Sequence, residues 1–223
     1  MHQNTDRRNL TLLRNALIRL EALPAALESE EAAQNNLDFL AMLDGLKPVC
    51  LLGRGGGDEA WDDAMCDLTK EFGCLVVDGP YWNLAPVGEG FPQWYLDQCR
   101  DEMAGFTAHY ICADDGVAAE VRQACQGGGP TMAVEARLLG YPLCCVADHY
   151  RRATAYHRRA LADPDAGERA GLETAMAITP CPYTSFNMCD PCAEDRVRPA
   201  AVLSLQYARL AHQIDPVFAR RFG

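Results

Sequence analysis

The stretch CPYTSFNMCDPC, residues 181–192, places Cys181, Cys189 and Cys192 close together, with Pro180, Pro182 and Pro191 stiffening the chain around them. A second stretch, LGYPLCCVADHY, adds the adjacent pair Cys144 and Cys145, and His149 follows four residues after Cys145. Thiols at this density can bind a metal, cycle through disulfides or attack a substrate. Cys189 and Cys192 form a Cys-x2-Cys turn, which suits two thiolates on one ion, and Cys181 can fold back over the seven intervening residues to join them. Gly140 reads as the end of one helix and Pro142 as the first turn of the next. Cys144 and Cys145 then fall in an initial turn whose free N–H groups should lower thiol pKa values. Neighbours on a helix point about 100° apart, so the expectation is that one of the pair faces a site while the other packs. Four thiolates converge in this reading: Cys145 or Cys144, with Cys181, Cys189 and Cys192. On a helix His149 shares a face with Cys145 and stands either as a ligand, as a proton donor or as a surface histidine.

Three chemistries fit these residues. The favoured one is a [4Fe-4S] cluster, used in redox or small-molecule activation; with only three protein ligands it would leave one iron open to a substrate. A zinc site is the alternative, either closed by four thiolates or keeping one position for water. The third is a thiol enzyme for redox or sulfur transfer, weakened because CDPC does not follow a strand in a thioredoxin-like unit. Cys144 and Cys145 suit the role of ligand and neighbour better than that of a redox pair, since adjacent cysteines form only a strained disulfide. The remaining cysteines of the eleven read as packing residues: Cys50, Cys74 and Cys112 in short β-like apolar runs, Cys66, Cys99 and Cys125 on helical patterns.

Other polar groups surround the thiols. Tyr183, Thr184, Ser185 and Asn187 can bond to metal-bound sulfurs or simply close the turn. Arg151, Arg152, His157, Arg158 and Arg159 make a local basic run, either a solvated face or a contact for an anionic partner. Far from these, LLGRGGGDEAW follows a strand pattern and opens a helix, so residues 53–57 could cradle a phosphate with Arg54 beside it. The run matches neither nucleotide fingerprint, and a glycine turn feeding a helix capped by Asp58 is the simpler reading.

The elements that must hold these groups follow from periodicity. Residues 1–46 read as an N-terminal helical section, with Leu10, Leu13, Leu17 and Leu20, then Leu37 and Leu40, at helical spacing about a break at Pro24. Residues 47–130 alternate strand and helix: KPVCLLG, CLVVDG and FTAHYIC are strands, separated by DEAWDDAMCDLTKEFG and FPQWYLDQCRDEMAG as helices. This predicts an α/β core, a small parallel or mixed sheet flanked by helices. Residues 131–223 read as a helical, cysteine-bearing region packed on that core. It includes a helix over DAGERAGLETAMAI and a closing helix that begins at Pro199.

The segment RLLGYPLCCVADHY, preceded by HYICADDGVAAEVRQAC and followed by a Pro-Cys element and a terminal helix ending in IDPVFA, resembles an uncharacterised prokaryotic family. That family carries a Leu-Gly-Tyr-Pro-x-Cys-Cys signature with a downstream Pro-Cys...Cys element. The likeness spans roughly residues 108–220 and rests on Gly140, Tyr141, Pro142, Cys144, Cys145, Pro180 and Cys181. It implies a paired cysteine site and brings no reaction with it. The later spacing in this chain, with Cys189 and Cys192 as a pair, is longer than the family pattern.

Composition bounds the partners. The chain has 223 residues, is 49% hydrophobic, and carries 20 Lys and Arg against 31 Asp and Glu, for a net charge of -11. This supports a substantial core and argues against general binding to nucleic acid or anionic lipid. No apolar run approaches the roughly 20 residues of a membrane span. The N-terminus is an amphipathic helix pattern without a signal peptide's apolar core, so a cytoplasmic protein is expected, in which reduced thiols serve metals or packing rather than disulfides. The partner expected is a small molecule or a redox protein.

Overall fold

The computed structural model describes residues 2–23, 29–54, 59–82, 90–103, 107–126, 129–163 and 178–222. Two helices open the chain, α1 (His2–Glu21) and α2 (Ser29–Leu43), as the leucine spacing requires. The core then runs β1 (Val49–Arg54), α3 (Glu59–Glu71), β2 (Leu75–Pro80), α4 (Gln93–Met103), β3 (Thr107–Cys112) and α5 (Asp115–Gln126). The C-terminal half contributes α6 (Met132–Leu139), α7 (Leu143–Ala162), the two-residue strands β4 (Thr179–Pro180) and β5 (Asn187–Met188), α8 (Asp190–Glu194), α9 (Pro199–Ile214) and α10 (Pro216–Ala219). Pro199 occupies the opening of α9, where its missing N–H costs nothing. The glycine-rich residues 55–57, Asp58, Pro24 and the segment 164–177 lie outside the described residues. Gly53 and Arg54 end β1.

The α/β class holds, but the sheet is antiparallel rather than parallel or mixed. Its order is β1-β3-β2, and Cys112 stands opposite both Val49 and Leu75, while Thr107 stands opposite both Arg54 and Pro80. The β1-α3-β2 crossover does carry two strands in one direction. It leaves them one strand apart, and β3 fills the gap running the other way. The sequence could not show this, because the pattern of buried residues along a strand is the same whichever way its neighbours run.

The strands alternate their side chains between two helical layers. Cys50, Leu52 and Ile111 face one core with Leu17, Leu37, Leu40, Met65 and Tyr207, drawn from α1, α2, α3 and α9. Val49, Val77, Tyr110 and Cys112 face the other, with Ala118 and Val121 of α5 and Leu138 and Leu139 of α6. The first and last helices of the chain therefore share one core. Among the described residues, no helix is long and apolar enough to cross a membrane.

Candidate metal centre

Two short structural devices carry the cysteines. The first is the junction of α6 and α7. Gly140 ends α6 in the left-handed conformation, at φ 71°, and a Cβ there would lie 2.7 Å from the Lys47 Cβ. Only glycine meets both demands without strain. Pro142 then stands at the cap of α7, and Leu143, Cys144 and Cys145 form its first turn. The second device is the hairpin of β4 and β5, in which Cys181 N–H donates to Phe186 O at 3.0 Å. It delivers the chain to Cys189, which caps α8. The Cys-x2-Cys turn is closed by Cys192 N–H donating to Cys189 O at 2.9 Å.

The Sγ atoms of Cys144, Cys145, Cys189 and Cys192 all lie within 4.8 Å of one another. Two pairs cross between the two devices: Cys144 with Cys192 at 3.6 Å and Cys145 with Cys189 at 3.7 Å. The adjacent pair Cys144 and Cys145 stands at 4.0 Å. Both members of that pair reach the cluster, although helical geometry alone suggests that one would pack elsewhere. They sit in the first turn, so their side chains can close on a point beside the helix end. Cys145, Cys189 and Cys192 are buried, at 3%, 4% and 2% exposure, whereas Cys144 is exposed. Four such groups could hold one metal ion.

Cys181 stands apart from the four. It is buried in the same apolar cluster, with Phe186 and Ala200, but its thiol donates to Ala200 O at 3.5 Å. His149 is exposed and lies edge-on to Tyr150, outside the four-sulfur group.

Partial burial and the hydrogen bond with Cys192 push the Cys144 thiol up to about 11, and burial pushes Cys145 and Cys181 up as well. The lowering expected from the helix N-terminus is therefore outweighed for Cys144 and Cys145. Burial would also raise Cys192, but the Ala200 backbone and the Cys144 thiol hydrogen-bond to it and hold it below the usual thiol range.

The surrounding polar groups position the two devices. Asp148 on α7 pairs with Arg151 and Arg152, and Arg152 also donates to Met188 O at 3.2 Å, the residue before Cys189. Part of the basic run thus clamps α7 to the hairpin. His157 faces α4 instead, 3.1 Å from Tyr95 Oη, while Arg158 and Arg159 are exposed. In the loop, Thr184 donates to Cys181 O at 3.0 Å, Tyr183 stacks on Phe222, and Asn187 pairs within the hairpin. Through these contacts they close and anchor the turn.

A polar network runs from the exposed Ser185 of this loop to a buried ion pair that the sequence did not reveal. Ser185 donates to Asp38 of α2 and is bonded to Tyr141 Oη at 2.8 Å. Asp38 Oδ1 lies 3.2 Å from Lys47 Nζ, a fully buried ionic contact without hydrogen-bond alignment, and Lys47 sits 5.3 Å above the Tyr141 ring. Burial works to discharge Lys47, but the Asp38 carboxylate outweighs it and holds the ammonium well above its ordinary range. The available signal was a charge inside an apolar run, Asp38 in LDFLAML.

Compared with known proteins, the chain matches no family model, no curated protein and no solved structure. The four converging thiols are thus the chief structural guide to function.

Proposed function

We propose that this is a zinc protein whose four thiolates, Cys144, Cys145, Cys189 and Cys192, close a structural tetrahedral centre. The observation that carries this reading is the sulfur spacing. Zinc–thiolate bonds of about 2.3 Å in a tetrahedron require sulfurs about 3.8 Å apart. Three of the pairs, at 3.6, 3.7 and 4.0 Å, lie near that edge, and all four sulfurs lie within 4.8 Å of one another. A [4Fe-4S] cluster binds each thiolate to a different iron at the corners of a cube, so its cysteine sulfurs stand farther apart than in a one-ion site.

The ion would tie the first turn of α7 to the Cys-x2-Cys turn, so that its binding energy becomes folding energy. Four protein ligands leave no open position for substrate, so the centre acts as a clasp. Under this reading the Leu-Gly-Tyr-Pro-x-Cys-Cys pattern is a metal-centre signature. Its glycine makes room for Lys47, its tyrosine holds the hairpin loop through Ser185, and its cysteines supply half of the ligands. Maintaining four thiolates suits a reducing compartment such as the cytoplasm.

Metal and acid-labile sulfide analysis of anaerobically purified protein, with an absorption spectrum of the same sample, tests the reading. About one zinc per chain, no sulfide and a colourless protein are expected. Matched iron and sulfide in a brown protein would overturn it.

A further inference from the structure

Of the four cysteines, only Cys144 is exposed. It is also 3.6 Å from Cys192, on an element 48 residues away in sequence. We propose that Cys144 is an oxidation site for hydroperoxides, with Cys192 as its resolving partner, and that this reaction releases the metal. The inference rests on the zinc reading and adds a substrate class to the same centre.

The geometry selects both the entry point and the partner. A metal-held thiolate is the nucleophilic form of cysteine, and oxidation follows thiolate character together with access. Cys145, Cys189 and Cys192 are buried, which leaves Cys144 as the sulfur that a hydroperoxide meets first. Cys145 is adjacent in sequence, so linking it to Cys144 would require a strained vicinal disulfide. Cys192 lies closer, at 3.6 Å against 4.0 Å, and on a separate helix. Closing that gap to a disulfide bond of about 2.05 Å takes a movement of roughly 1.5 Å, within the reach of side-chain rotation.

The Cys144 thiolate attacks one peroxide oxygen and breaks the O–O bond. It becomes a sulfenic acid, while the other oxygen leaves and is protonated to water or alcohol. The Cys192 thiolate then attacks the Cys144 sulfur, forms the S–S bond and expels hydroxide, which is protonated to water. The two thiolates together lose two electrons, and the peroxide gains them. Cys145 and Cys189 alone would then hold the ion, and two thiolates in place of four would let it pass to solvent. These two sulfurs, at 3.7 Å, form the second cross-link with a further equivalent of peroxide. Each disulfide joins α7 to the Cys-x2-Cys turn, so the oxidised protein stays pinned where the metal had held it.

The test is a hydrogen peroxide titration of the full-length reduced protein after its zinc content has been measured. A chromogenic chelator follows zinc release, and peptide mapping under non-reducing conditions follows the disulfides. Release of zinc with Cys144–Cys192 as the first disulfide, reversed by reductant plus zinc, is the expected result. A zinc-loaded protein that keeps its metal in peroxide, or that first links another pair, would overturn the inference and leave the zinc reading standing. A protein without zinc fails that reading instead. The order of disulfides in the same sample then still shows whether Cys144 is the oxidised position, and a different first pair overturns the inference there too.

Discussion

Cys50 and Cys112 of the sheet are as deeply buried as Cys145, Cys189 and Cys192 of the C-terminal centre, yet their sulfurs have different neighbours. Cys112 donates to Tyr110 O within its own strand, and Cys50 packs among leucines and Ile111. Burial pushes the Cys112 thiol up to about 12 and the Cys74 thiol up to about 11, so these residues behave as small hydrophobes. At the centre each of the four sulfurs has another sulfur within 4 Å. Burial alone therefore does not tell a ligand from a packing residue. Convergence marks a candidate ligand set, because four thiols that share one small volume could hold a metal ion.

The comparison breaks most readily at the metal. Cys189→Ser and Cys192→Ser should each weaken zinc binding by more than roughly a hundredfold, beyond the loss typical of an outer-shell change. Cys50→Ala, Cys112→Ala and Cys181→Ser should retain stoichiometric zinc. Metal analysis after dialysis against a competing chelator separates the two groups, and a sheet variant that loses zinc would erase the distinction. Acidification should also release the ion, because protons compete with it for four thiolates.

The next effect tests the polar network that joins the two regions. Asp38→Asn leaves the buried Lys47 ammonium without its counter-charge and should cost about 3–5 kcal/mol of stability in denaturant unfolding. Replacing both by apolar residues of similar size should cost markedly less. Gly140→Ala forces a Cβ into Lys47 at positive φ, with an expected loss of about 1–3 kcal/mol by the same measurement.

The smallest effect concerns the clamp beside the centre. Arg152→Ala removes the bond to Met188 O and should weaken zinc binding about tenfold, read by chelator competition. The Asp148 carboxyl belongs to the same clamp. Burial works to raise it, but hydrogen bonds from Arg151 and Arg152 outweigh that and hold it below the ordinary carboxylate range. Its contribution to stability is therefore complete above about pH 4 and is lost as pH falls through its own lower value. Asp148→Asn should remove that part of the acid dependence, which stability curves on metal-free protein at several pH values would show.

Local chemistry made much of this legible in the sequence. The helices of the N-terminal section follow from leucine spacing, the helix end at Gly140 from glycine's freedom at positive φ, and the packing role of Cys50 and Cys112 from their apolar runs. The Cys-x2-Cys turn and the neighbouring thiol pair are short-range features, and they marked the centre before any fold was known. Strand direction was not legible, because apolar patterning marks which residues are buried and not which neighbour a strand pairs with or in which direction. Nor could spacing show that Cys144 and Cys145 both enter the cluster while Cys181 turns to Ala200 O. Those choices depend on where α7 meets the hairpin.

What the sequence by itself determined is which residues form each element and which thiols lie near one another along the chain, since backbone propensity, capping and turn chemistry act over a few residues. What only the tertiary structure decided is which sulfurs share one point in space and which remain exposed. It also decided that a buried Asp38–Lys47 pair braces the loop between them. These are consequences of packing between segments as distant as Cys144 and Cys192, and no local rule encodes a distance of that kind.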